Sequence, residues 1–251
     1  MSKLTITRTK AALGHLLLSV LIFSIVIAVL IFIWYPVPHF TASGGWQGLK
    51  IAAGVDLVLG PLLTLIIFDS AKSRKKLMGD LMVIALLQFT ALAWGVGTIY
   101  SQRPVALVFW EQSFISVPAA EFDKQKIDID DLNDFGSEKP VLIYAEKPRE
   151  LGALKAMLKR ITEDVVAPHN QLELYRPLQD YFDEIIPLQL NIDHIMEHNT
   201  DIKAKLNKIL VKTNKDQNDY FYFSLRSKYQ NIILLFDHNG ELKNHIVVVL
   251  R

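Results

Sequence analysis

The chain has 251 residues, 51% of them apolar and 10% aromatic, and carries a net charge of +1. That apolar content is enough to bury a core, which argues against disorder, and the near-neutral balance argues against a strongly basic nucleic-acid binder. The absence of cysteine excludes a disulfide framework, a thiolate metal site and a cysteine nucleophile.

The near-neutral total averages two different halves. Residues 1–100 hold 8 Lys/Arg against 3 Asp/Glu, whereas residues 101–251 hold 19 against 23. Residues 11–35 contain no Asp, Glu, Lys or Arg. At ~1.5 Å per residue this run spans a hydrocarbon core of ~30 Å. It exceeds the ~7–15 apolar residues of a signal peptide, and Thr41-Ala42-Ser43 is a weak cleavage site, so a retained anchor is expected. Further spans are expected at about 49–68, interrupted by Asp56 and Gly60-Pro61, and at about 79–100.

The loop at 69–78 is rich in cations and the loop at 36–48 has none, so the positive-inside rule places the N-terminus and 69–78 in the cytoplasm. Residues 103–251 are then delivered to the opposite side, periplasmic in a bacterium. Trp34, Tyr35, Trp46 and Tyr100 fall at the expected outer interface.

Within the second span, Asp56 lies ~10 Å below that interface, where an acid costs up to ~2.5–3.5 kcal/mol unless it faces protein or water. Pro61 removes a donor to the carbonyl of Leu57 and should kink the helix, and Thr64 can rebond a preceding carbonyl. Gly54, Asp56, Gly60, Pro61 and Thr64 are therefore the candidate residues for docking a partner helix. An internal clamp to Thr98, Tyr100 or Arg103 is the open alternative. An aspartyl protease would need a second nearby carboxylate, and Asp69 and Asp80 lie at the other border.

Beyond the spans, Val105 to Trp110 reads as a strand buried on both faces, with Phe114 to Val117 beside it. Residues 121–139 read as a surface loop and Val141 to Ala145 as a strand. A helix opening at Lys147-Pro148 places Leu151, Leu154, Leu158 and Ile161 on one face. Helical regions at about 170–186 and 201–212 follow, then strands at 220–225, 232–236 and 245–250, with Asn239-Gly240 as a primed hairpin turn. The sum is three transmembrane helices, residues 1–102, followed by a periplasmic α+β domain, residues 103–251, whose helices cover a mostly antiparallel sheet.

His194-Ile-Met-Glu197-His198 matches the H-x-x-E-H zinc-hydrolase pattern, but a third ligand is not evident, and an exposed segment with surface histidines is expected instead. No nucleophile elbow, phosphate loop or dinucleotide fingerprint is present, so no catalytic residue and no cofactor is expected.

Four segments, Trp34-Tyr-Pro-Val-Pro38, Gly54-Val-Asp-Leu-Val-Leu-Gly-Pro-Leu-Leu-Thr-Leu-Ile-Ile-Phe68, Asp80-Leu-Met-Val-Ile-Ala-Leu-Leu-Gln88 and Arg103-Pro-Val-Ala-Leu-Val-Phe109, resemble the TfpX/TfpZ family of type IV pilin accessory proteins. The resemblance covers residues 1 to about 120. It implies a chaperone-like bacterial inner-membrane protein, without catalysis, that binds the major pilin and assists pilus assembly or biases extension against retraction.

Overall fold

The computed structural model describes residues 7–35, 40 and 45–248. Lys3, most of the 36–48 loop with Thr41-Ala42-Ser43, and residues 249–250 of the last expected strand lie outside the described residues. The chain divides into two compact units, one ending at Ser101 and one starting at Gln102.

The first unit is three helices, each long and apolar enough to cross a membrane: α1 (Arg8–Trp34), α2 (Gly45–Ile67) and α3 (Arg74–Ser101). Thr7 caps α1 by accepting from the Lys10 amide at 3.3 Å. The third helix starts earlier than expected, so Arg74, Lys75 and Lys76 form its first turn instead of extending the loop. At that end Lys72 bridges to Asp80 at 2.6 Å. At the other end the Tyr35 hydroxyl donates to the Ile99 carbonyl at 2.5 Å, and Trp34 lies 4.5 Å from Tyr100, ring to ring. Aromatic residues placed by sequence at one interface thus join α1 to α3.

The second unit is built on one seven-stranded sheet in the order β4-β3-β1-β2-β5-β6-β7. Its strands are β1 (Pro104–Trp110), β2 (Ser113–Pro118), β3 (Val141–Ala145), β4 (Tyr175–Pro177), β5 (Phe221–Arg226), β6 (Asn231–Phe236) and β7 (Leu242–Val248). Four pairings are antiparallel, while β1–β3 and β2–β5 are parallel. The helices are α4 (Ala119–Gln125), α5 (Leu151–Thr162), α6 (Phe182–Ile185), α7 (Ile192–His198) and α8 (Thr200–Thr213).

Strand alternation explains why β1 reads as continuously apolar. Ala106 and Val108 face α4 and α5 with Phe122, Leu132 and Met157. Leu107 and Phe109 face the other side, an aromatic layer of Phe114, Phe182, Phe223 and Phe236. Over β5–β7, α7 and α8 cover the sheet through Ile192, Ile202 and Leu206.

Several local expectations change. Residues 121–139 are not a surface loop: α4 and a 3-10 turn at Ile129–Asp134 bury Phe122 and Leu132 completely, because one apolar residue per turn is enough to seat short helices on a sheet. The 170–186 region is mostly 3-10 turns around the edge strand β4, where Pro177 is tolerated. The helix after Lys147-Pro148 starts only at Leu151, and Leu151 and Leu158 are exposed. The β6–β7 connection is not a two-residue primed turn. Asp237 accepts from the Gly240 amide at 3.1 Å, and only Gly240 takes positive φ (75°), giving a longer loop with a left-handed glycine.

Both sheet edges are capped by the chain's own side chains. On β4 the outward carbonyl of Tyr175 accepts from Arg176 Nη1 at 2.7 Å. On β7 the carbonyl of Val247 accepts from Lys205 Nζ at 2.9 Å, and the amide of His245 donates to Asn244 Oδ1 at 3.2 Å.

Candidate functional site

The unusual part of α2 is a π-helical stretch, Gly54–Leu59, directly before Gly60-Pro61. A wider turn there makes room for the proline ring and for the hydrogen bond the proline cannot donate. The strain expected from sequence is therefore absorbed one turn earlier than the proline itself. A π turn leaves backbone carbonyls under-bonded, and the Asp56 carbonyl accepts from Gln88 Nε2 of α3 at 3.4 Å.

The five candidate residues do not share one outward face. Asp56, Gly60 and Thr64 are buried. Gly60 is where the Gln88 side chain lies, so any side chain at position 60 would collide with it. Thr64 donates to the Gly60 carbonyl at 3.0 Å, the back-bond its position suggested, and its oxygen lies 2.6 Å from His15 Nδ1 of α1. With the hydroxyl proton directed to Gly60, the complementary tautomer of His15 carries its proton on Nδ1. Gly54 is different: a Cβ there would meet nothing within 4 Å.

The arrangement is a polar seam that ties three apolar helices together beside the π-helical stretch of the middle one. Thr98, one expected clamp partner, instead bonds the Trp94 carbonyl on its own helix at 2.9 Å.

In the second unit, His194 and His198 sit one turn apart on α7, with ring centroids 4.4 Å apart. The segment is helical because Asn191 caps it, accepting from the His194 amide at 3.1 Å. His198 Nδ1 is engaged with the His194 carbonyl at 2.9 Å. Among the described residues no group of three potential metal ligands forms. A groove of 790 Å³ between α5 and residues 171–176 has ion pairs in its lining: Arg160 with Glu173 at 2.7 Å and Arg176 with Glu146 at 3.0 Å.

Comparison with known proteins places the chain. The family model for the fimbrial assembly protein FimB matches residues 3–44, which include α1. A fimbrial assembly protein of serogroups C1 and C2 from Dichelobacter nodosus is 35% identical over 95 residues, 38% of this chain and 72% of that relative. The chain belongs to the fimbrial assembly protein family. The serogroup I and serogroup E1 fimbrial assembly proteins of the same organism are also 35% identical over 95 residues, but there the match spans only 37% of each relative's length. No solved structure matches.

Sequence reasoning about this fimbrial assembly protein missed His15 and Gln88. Both are lone polar side chains inside long apolar runs, and that is the signal that marks them in hindsight: in lipid such a group must find a partner on a neighbouring helix.

Proposed function

We propose that this fimbrial assembly protein is a non-catalytic accessory of the type IV pilus, of the TfpX/TfpZ kind. In this reading α1–α3 cross the bacterial inner membrane, residues 103–251 lie in the periplasm, and the protein binds the major pilin and modulates pilus assembly or the balance of extension and retraction. The observation that carries the reading is that the fimbrial assembly family model matches residues 3–44, which include the apolar helix α1. What such proteins share would then reside in the helical unit.

Within α2 the candidate set divides into two roles. Asp56, Gly60 and Thr64, together with Pro61 that follows the π-helical stretch, anchor this part of α2 to α1 and α3. Gly54, flanked by the exposed Ile51 and Val58, offers the open surface on which a pilin stem helix would lie.

A photoreactive residue at position 54, introduced in cells making pili, is expected to capture pilin, whereas one at position 60 is not, because Gln88 fills that place. Capture of nothing above background at position 54 would overturn the docking site. The non-catalytic part is tested separately: His194→Ala combined with His198→Ala should leave piliation unchanged, and loss of pili in that variant would restore a zinc-hydrolase reading.

A further inference from the structure

Helix α5 carries more apolar surface than the core consumes. Its one fully buried side chain is Met157, with Leu154 and Ile161 partly buried beside it. On the flank of that buried stripe Leu151 is 67% exposed and Leu158 47%. Seven residues further, in the turn that ends the helix, Val165 is 86% exposed and held at φ 57°, a conformation that β-branched residues rarely adopt. Among the described residues of the second unit these are three of the six exposed large apolar side chains; Leu188, Val211 and Tyr229 are on other elements.

The charge around this ridge runs against that of its unit. Residues 147–160 contain five basic residues and one acidic one, although residues 101–251 together are net negative. Lys159 and Arg160 are paired with Glu163, Asp164 and Glu173. Lys147, Arg149 and Lys155 enter no ion pair among the described residues. Lys155 lies between the two leucines on the exposed face, where its aliphatic stem can follow apolar surface while its ammonium reaches outward. A second copy of this helix is a poor occupant, since Lys155 would meet its own equivalent.

We propose that the exposed flank of α5 formed by Leu151, Lys155 and Leu158, together with Val165, rests on an anionic phospholipid surface. An exposed apolar ridge flanked by cations is what a helix lying in the headgroup region requires. Only Gln102 and Arg103 separate the end of α3 from β1, and so short a tether keeps the unit at a bilayer at high effective concentration, where modest intrinsic affinity is enough. The proposal rests on the reading that α1–α3 cross that bilayer.

The chain has no native cysteine, so single cysteines at positions 151, 158 and 165, and at the exposed control Val211, can each carry a spin label in the full-length protein. The probe is a nanodisc of phosphatidylglycerol with phosphatidylcholine, compared with phosphatidylcholine alone. Labels at 151, 158 and 165 should lose contact with a water-soluble nickel relaxant and gain contact with oxygen in the anionic discs, while the label at 211 should not. Lys155→Gln should weaken the docked population about fivefold. Equal nickel exposure at 158 and 211 in anionic discs overturns the proposal. So does burial that is the same in neutral discs, or burial that appears only when pilin is added. A chain that fails to enter discs at all contradicts the membrane reading instead, which keeps the two failures apart.

Discussion

Thr64 shows how one side chain can serve two neighbours at once: its hydroxyl donates to the Gly60 carbonyl next to a proline and is in hydrogen-bond contact with His15 Nδ1. Removing it strands both groups in an apolar setting, which costs about 1–2 kcal/mol for neutral hydrogen bonds. Thr64→Val and His15→Leu should therefore couple in a double-mutant cycle by ~0.6 kcal/mol or more, measured as detergent-denaturant unfolding of the purified protein. Additive effects would show that the contact carries no energy. Phe122, fully buried beneath residues that the sequence suggests are a loop, should behave as a core residue: Phe122→Ala is expected to cost about 3–5 kcal/mol. A third residue sets a pH dependence. Burial holds the imidazole of His169 below its ordinary range, with Arg226 acting in the same direction and Glu121 opposing. The folded form therefore disfavours the protonated ring. Its contribution is fully present above the unfolded value of about 6.5 and is lost as pH falls through that value toward the lower folded one. The second unit should be less stable to denaturant at pH 5.5 than at pH 7.5, and His169→Gln should reduce that difference.

At the scale of elements, β1 and β2 were legible because a continuous apolar run bounded by proline and a tight turn has few other solutions. The α4 region was not, because Phe122 and Leu132 stand alone among acidic residues, and nothing local reveals that a sheet waits beneath them. The exposed side of α5 misled for the opposite reason: Leu151 and Leu158 have the spacing of a core face, but the sheet contacts the face of Met157. The end of that helix carries strain. With Val165 in the left-handed region and almost fully exposed, Val165→Gly should raise stability by up to about 1 kcal/mol, read as a shift in the unfolding midpoint. The sheet edges supply another test. If Lys205 and the Asn244 side chain keep β7 from accepting another strand, Lys205→Ala combined with Asn244→Ala should produce concentration-dependent self-association in sedimentation, whereas the native chain at the same concentration does not associate.

For the whole molecule, the division into a helical unit and a sheet unit follows from the uneven charge and hydropathy of the two halves, and both halves can be read from composition. What could not be read is how three apolar helices choose one another, since exposed and helix-packed leucines look alike; the contacts combine an apolar cluster around Phe23, Leu30 and Leu49 with His15, Gln88 and Tyr35, single polar groups in apolar surroundings. Orientation is open to direct measurement. With no native cysteine, Asp130→Cys should react with a membrane-impermeant maleimide added to the periplasmic side of intact inner membranes, and Lys75→Cys should react only after the membrane is opened; the reverse pattern would invert the proposed topology.

The two-residue connection between Ser101 and Pro104 has a mechanical consequence. The strand it feeds is β1, an interior strand held by ladders on both sides. A pull transmitted along the chain from α3 would enter the sheet at β1, where two ladders of hydrogen bonds hold the strand. An edge strand in that place would be held by one ladder alone, so tension on the helical unit would reach the sheet where twice as many ladders resist it.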